Sequence, residues 1–177
     1  MIMNRNKGYI LISLLLFFSV ISLVLFSFHR YFLIESLKVQ GKYENTRAYY
    51  LAESSSLLYY HKILHEVNQL ADENFSNVCL KCFDHSLMNF KQQLQEKLQD
   101  DCFWNNIEKP FFKTYNNGYV IHGELISLDG KIHYKASGEY SNTAIIYYVT
   151  LTYPKIDYFE DEVSIILPKI ASCYQGY

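Results

Sequence analysis

The sequence predicts an α+β chain in which one long amino-terminal helix, transmembrane and then exterior, packs on a carboxyl-terminal antiparallel sheet. Three observations predict it. Residues 9–28, YILISLLLFFSVISLVLFSF, hold no charge over 20 positions. Apolar residues then recur at helical intervals as far as Leu70. From Tyr119 onward the pattern changes to two-residue alternation, rich in β-branched and aromatic side chains. With 177 residues the chain has room for one globular domain and an extended element.

The apolar run comes first. A helix needs about 20 apolar residues to cross a hydrocarbon core about 30 Å thick, and residues 9–28 supply that length. Cleavable secretory signals have apolar cores of about 7–15 residues followed by small side chains, whereas His29, Arg30, Tyr31 and Phe32 follow here. The run therefore reads as a spanning helix. Arg5 and Lys7 precede it, and cationic flanks are retained on the cytoplasmic side, so the rest of the chain is expected outside.

The eight residues before the run, MIMNRNKG, are short and polar and end in Lys7-Gly8, directly ahead of Tyr9. Here the sequence resembles the type IV prepilin family, whose short basic leaders end in glycine. The resemblance implies that a prepilin peptidase cuts between Gly8 and Tyr9 and that the new amino terminus at Tyr9 is methylated. It also implies a pilin-like fold. One position departs from the family: the fifth residue after the cut, usually glutamate, is Ser13. That glutamate is thought to offset the buried amino-terminal charge of a neighbouring subunit, an expensive charge to leave unpaired in an apolar medium. Ser13 cannot do this, which points to the minor subunits that lack the glutamate: the general-secretion tip pseudopilin, some pilin-like tip subunits and certain competence pseudopilins.

After Phe28 no proline occurs before Pro110, and Leu33, Leu37, Ala48, Leu51, Ala52, Leu58, Ile63, Val67 and Leu70 keep a helical stripe. At about 1.5 Å per residue, a helix from Tyr9 to Leu70 would be about 90 Å long. Gly41 is its expected weak point, since glycine costs about 1 kcal/mol relative to alanine inside a helix. The stretch Ala48-Tyr49-Tyr50-Leu51-Ala52-Glu53-Ser54 resembles a stretch common in minor pilins and in the secretion tip pseudopilin. Physically, Ala48, Ala52, Ser55 and Ser56 are small enough to let another element approach closely, and helix-to-sheet packing is the favoured use of such a stripe over a partner site.

Leu87, Phe90, Leu94 and Leu98 predict a second, amphipathic helix from Asp84, with that aspartate as its cap. Four strands are expected in an antiparallel meander, at residues 119–126, 131–140, 144–153 and 162–167. Asp129-Gly130 is a two-residue hairpin signal and Ser141-Asn142-Thr143 a second turn. No crossover helices separate the strands, which argues against a parallel dinucleotide-type sheet. The organisation is thus a prepilin leader at 1–8, the transmembrane part at 9–28, the exterior part of the long helix at 29–75, and a globular head at 76–177.

Composition excludes some roles and leaves others open. Sixteen basic against 18 acidic side chains give a net charge of -2, with no field suited to coating nucleic acid or acidic lipid. Seventeen Tyr suit strands and interfaces. Four cysteines, Cys79, Cys82, Cys102 and Cys173, follow the apolar run, and an exported domain can use them as disulfides in any of three pairings. A four-thiolate zinc site is the alternative, but the wide gap between Cys102 and Cys173 makes no second chelating pair. His61 and His65 share a helix face without the internal glutamate of a metalloprotease. His122, Glu124 and His133 fit the wet face of a sheet. Asp157, Glu160, Asp161 and Glu162 form an acidic cluster without the spacing of a calcium loop.

The sequence contains no phosphate loop and no activated-serine motif, and no enzyme activity or cofactor is expected. The resemblance implies a minor structural subunit of a pilus, competence or secretion filament, acting in assembly initiation or at the tip. Its partners would be other pilin or pseudopilin subunits, the inner-membrane assembly platform and prepilin peptidase, with DNA involved only through a competence role. Two alternatives stand beside it: an uncleaved single-pass protein with an exterior partner-binding domain, and a zinc- or thiol-dependent envelope enzyme.

Overall fold

The computed structural model describes residues 5–76, 80–105, 119–159 and 162–176. Their order is α+β: a long helix α1 (Arg5–Phe75), a 20-residue helix α2 (Leu80–Gln99), a short α3 (Asp101–Asn105) and then six strands. The strands are β1 (Tyr119–Ser127), β2 (Lys131–Tyr140), β3 (Thr143–Thr152), β4 (Lys155–Phe159), β5 (Glu162–Ile166) and β6 (Ile170–Gly176). The chain forms two compact units, one ending at Tyr43 and the other spanning Glu44–Tyr177.

The first unit consists of helix alone among the described residues. Gly41 does not interrupt it: α1 runs on through that position, and a side chain there would meet nothing within 4 Å.

In the second unit the remainder of α1 supplies one wall of the core. Ala48, Ala52, Ser55, Ser56, Tyr59, Ile63, Val67, Leu70, Ala71 and Phe75 are buried, a spacing of three and four that keeps one face inward. From Tyr59 onward the apolar ones cluster with Phe90, Leu94 and Leu98 of α2, Phe103 and Trp104 of α3, Ile132, Tyr134 and Ala136 of β2, Val149 and Leu151 of β3 and Ile156 of β4, while Ala48 and Ala52 pack with Ile145. Each large side chain so buried contributes about 1.5–3 kcal/mol. Even positions of β2 and odd positions of β3 point into it, as alternation requires.

Two glycines let the sheet come close. A Cβ on Gly138 would lie 2.2 Å from the backbone nitrogen of Ala52, and one on Gly123 would lie 2.3 Å from the Tyr59 ring. The small residues of α1 are therefore occupied by the sheet, the packing use favoured for them.

The main sheet has the order β1-β2-β3-β6, all antiparallel. Its first three strands are the expected meander. The β2–β3 turn is tight, with Tyr140 opposite Thr143 and Ser141 at φ 56°, a conformation glycine adopts more cheaply. The β1–β2 reversal is wider than the two-residue turn expected: the register shifts between Leu125 and Ser127, and only Gly130, at φ 67°, takes the left-handed conformation that a type I′ turn demands of both central residues.

The fourth strand corrects the sequence reading. Residues 162–167 do not join the main sheet; β5 pairs with β4 in a separate two-stranded sheet, and β6 takes the place beside β3. Pro154 and Pro168 bracket this excursion, each lacking the N–H a ladder needs. Two bonds close its base: the Thr152 N–H donates to the Lys169 carbonyl at 2.9 Å, and the Lys169 N–H donates to Thr152 Oγ1 at 2.9 Å. Asp84 is corrected as well. Helix α2 begins at Leu80, which leaves Asp84 in its second turn. Asp100 is the aspartate that caps, accepting the Cys102 N–H at 2.9 Å at the start of α3.

Candidate functional site

The surface that separates this chain from an ordinary water-facing domain is the first part of α1. Phe17, Leu23, Phe26 and Phe28 are each 64–69 % exposed. Among the described residues one helix is long and apolar enough to cross a membrane, and none of its most apolar stretch is buried. The run 9–28 contains 15 Leu, Ile, Phe and Val residues. At about 0.3–0.6 kcal/mol each near a bilayer centre, they favour insertion by several kcal/mol in aggregate.

Its hydroxyls fit that environment. Ser19 donates to the Leu16 carbonyl and Ser27 to the Leu23 carbonyl, both at 2.8 Å, so these polar groups are satisfied within the helix. Ser13 is exposed on the same helix and brings no charge. Tyr9 is 78 % exposed, and Gly8 lies inside α1. Residues 1–4 of the expected leader lie outside the described residues. Beyond the run, Tyr31 and Phe32 remain exposed next to His29 and Arg30, the aromatic and cationic mixture found at membrane–water interfaces.

The second unit anchors its own core by buried hydroxyls. Tyr59 donates to the Trp104 carbonyl at 2.7 Å, Tyr134 to the Ser56 carbonyl at 2.8 Å, and Trp104 Nε1 to the Leu98 carbonyl at 2.8 Å. The rings of Tyr59, Trp104 and Tyr134 meet at centroid distances of 5.3–6.4 Å. Burial pushes the Tyr59 hydroxyl up to about 12, against a smaller opposing effect of a backbone bond to Gly123, and raises Tyr134 as well. Lys62 donates to the Phe103 carbonyl and lies 4.4 Å from the Phe103 ring centre, and burial lowers its pKa more than Glu66 raises it. These groups staple α3 to α1. Sequence reasoning missed them; the one signal that could have found them is the single Trp104, a buried-anchor residue in a chain with an aromatic-rich helix.

The remaining candidates do not assemble into a reactive centre. His61 and His65 are both exposed on α1, and Glu66 beside them pairs with Lys97 at 3.7 Å. His122 and Glu124 share the outer sheet face with His133, but Glu124 binds Lys135 at 2.6 Å, a bond that holds its carboxyl below the usual range, and His133 bonds to Thr150 Oγ1 at 3.0 Å. Asp157 and Glu162 lie exposed on β4 and β5, while Glu160 and Asp161 lie outside the described residues. No group of three metal-capable side chains occurs among the described residues.

Cys82, Cys102 and Cys173 are exposed and form no disulfide with one another; Cys79 lies outside the described residues. Partial burial and, to a lesser degree, Glu53 raise the Cys173 pKa, which favours the thiol over the nucleophilic thiolate at neutral pH.

Comparison with protein-family models, with curated proteins and with solved structures finds no match to this chain.

Proposed function

We propose that this protein is a minor structural subunit of a type IV pilin-like filament, held in the membrane by α1 with its second unit outside the cytoplasm. The observation that carries the reading is a single uninterrupted helix with two solvation patterns: outward-facing large apolar residues in 9–28, and an inward-facing small-residue seam from Ala48 onward. The Gly8/Tyr9 junction and the Ala48-to-Ser54 stretch give that helix its resemblance to the family. Such a subunit acts by assembly. Its apolar helix exchanges lipid for the apolar helices of neighbouring subunits, a change that conserves burial and requires no covalent chemistry. Ser13, in place of the family's glutamate, supports a place among the subunits that need no amino-terminal charge pairing, at a filament end.

The test is a photoreactive residue placed at Phe17 in living cells. Cross-links to another pilin-like subunit, appearing only when the filament assembles, are the expected result. Cross-links confined to lipid, with the chain absent from sheared filaments, would favour the uncleaved single-pass reading that Ser13 also allows.

A further inference from the structure

A cleft of about 430 Å³ opens between α2 and the start of β4, within the range that holds ligands and peptide segments. Its floor is apolar, formed by Leu87, Phe90, Pro154 and Ile156. Lys91, Lys131 and Lys155, from three different elements, also line it, against one carboxylate, Asp157. None of the three lysines pairs with a described residue, whereas Lys38, Lys97 and Lys135 elsewhere each hold a carboxylate. In a chain of net charge -2 the cleft is a local excess of positive charge over an apolar base. Its occupant should therefore carry several carboxylates and one large apolar side chain.

The chain itself contains such a segment. Phe159, at the far end of β4, is 71 % exposed, and Glu160, Asp161 and Glu162 follow it directly in sequence. Three carboxylates and one aromatic ring match three ammonium groups and an apolar floor. Lys155 and Phe159 stand at opposite ends of one strand, paired in register with Ile166 and Glu162, and at about 3.3 Å per residue the ends are about 13 Å apart.

We propose that this cleft receives the acidic, aromatic tip of the β4–β5 hairpin of a second copy of this chain. Each copy then offers one cleft and one tip, a heterologous contact that extends head to tail. Its charges lie near solvent, so the contact weakens as salt rises. The inference does not depend on leader cleavage or on filament membership.

The test uses the full-length chain, one copy per lipid nanodisc, with association read by energy transfer between differently labelled copies. Association of the native chain should fall at least tenfold between low and high salt. Reversing the cleft (Lys91→Glu, Lys131→Glu, Lys155→Glu) should abolish it, as should reversing the tip (Glu160→Lys, Asp161→Lys, Glu162→Lys). The decisive arm mixes the two variants: neither binds itself, yet each supplies what the other needs, so the mixture should associate. Recovery also shows that both variants are folded. The proposal is overturned if the native chain does not associate at any salt concentration. It is equally overturned if association survives both reversals, or if circular dichroism shows both variants folded and the mixture stays apart.

Discussion

The two parts of α1 share one backbone and solve opposite problems. Up to Tyr43 the helix turns Leu, Ile and Phe outward, and Phe17 and Phe26 are about two-thirds exposed. From Ala48 it turns alanine and serine inward, with Ala48, Ala52 and Ser55 fully buried. Helix propensity does not distinguish them, since alanine and leucine are both good helix formers. Side-chain size does. Large apolar side chains create a surface that something outside the chain must cover, while small ones let the sheet approach to the distance that Gly138 and Gly123 permit. One part of the helix seeks an apolar environment, and the other helps build one.

Substitutions that exchange these characters break the contrast most sharply. Gly138→Val sets side-chain atoms against the Ala52 backbone and should cost about 3 kcal/mol or more, read as a lowered denaturation midpoint of the second unit. The span should be unaffected, with membrane fractionation unchanged. Leu16→Arg does the converse. A cation near the centre of the run costs about 3 kcal/mol of insertion, so the chain should shift toward the soluble or degraded fraction.

Tyr59→Phe removes the buried bond to the Trp104 carbonyl and should cost about 1 kcal/mol at neutral pH. It also sharpens the comparison through pH. The Tyr59 hydroxyl has its folded pKa raised to about 12 from an ordinary 10, and Tyr134 is raised too. The stabilising effect of Tyr59 is complete below pH 10 and is lost as pH rises through about 12, and Tyr134 acts in the same direction. Alkaline unfolding of the native chain should be steeper than that of Tyr59→Phe, measured by chemical denaturation across pH 9–12. Smallest is Gly41→Ala, in the first unit. Open space at that position means the helix gains about 1 kcal/mol in propensity with no clash, visible as slower amide exchange around residue 41.

The legible parts of the fold were those with local signals. A run of 20 uncharged residues needs no tertiary knowledge to read, and neither does the alternation of Ile132, Tyr134 and Ala136, all of which face the core. The β4–β5 excursion was not read from the sequence, although Pro154 and Pro168 stand at its two ends. The return of β6 to pair with β3, with Thr152 and Lys169 bonded at the base of the excursion, is a long-range arrangement that no periodicity encodes. Strand β6 itself is exposed almost throughout, so it lacks the inward alternation that reveals a strand. The lysine cleft was hidden for the same reason. Lys91, Lys131 and Lys155 belong to different elements and share no motif, and only the fold makes them neighbours. Conversely, His61, His65, His122, Asp157 and Glu162, which spacing singled out, lie exposed, and Glu124 and His133 pair with lysine and threonine.

The functional proposal takes its family resemblance from the junction before the apolar run, and mass spectrometry of the mature amino terminus tests it most directly. In cells with active prepilin peptidase, the account predicts a chain beginning at N-methylated Tyr9. An intact Met1 would contradict it.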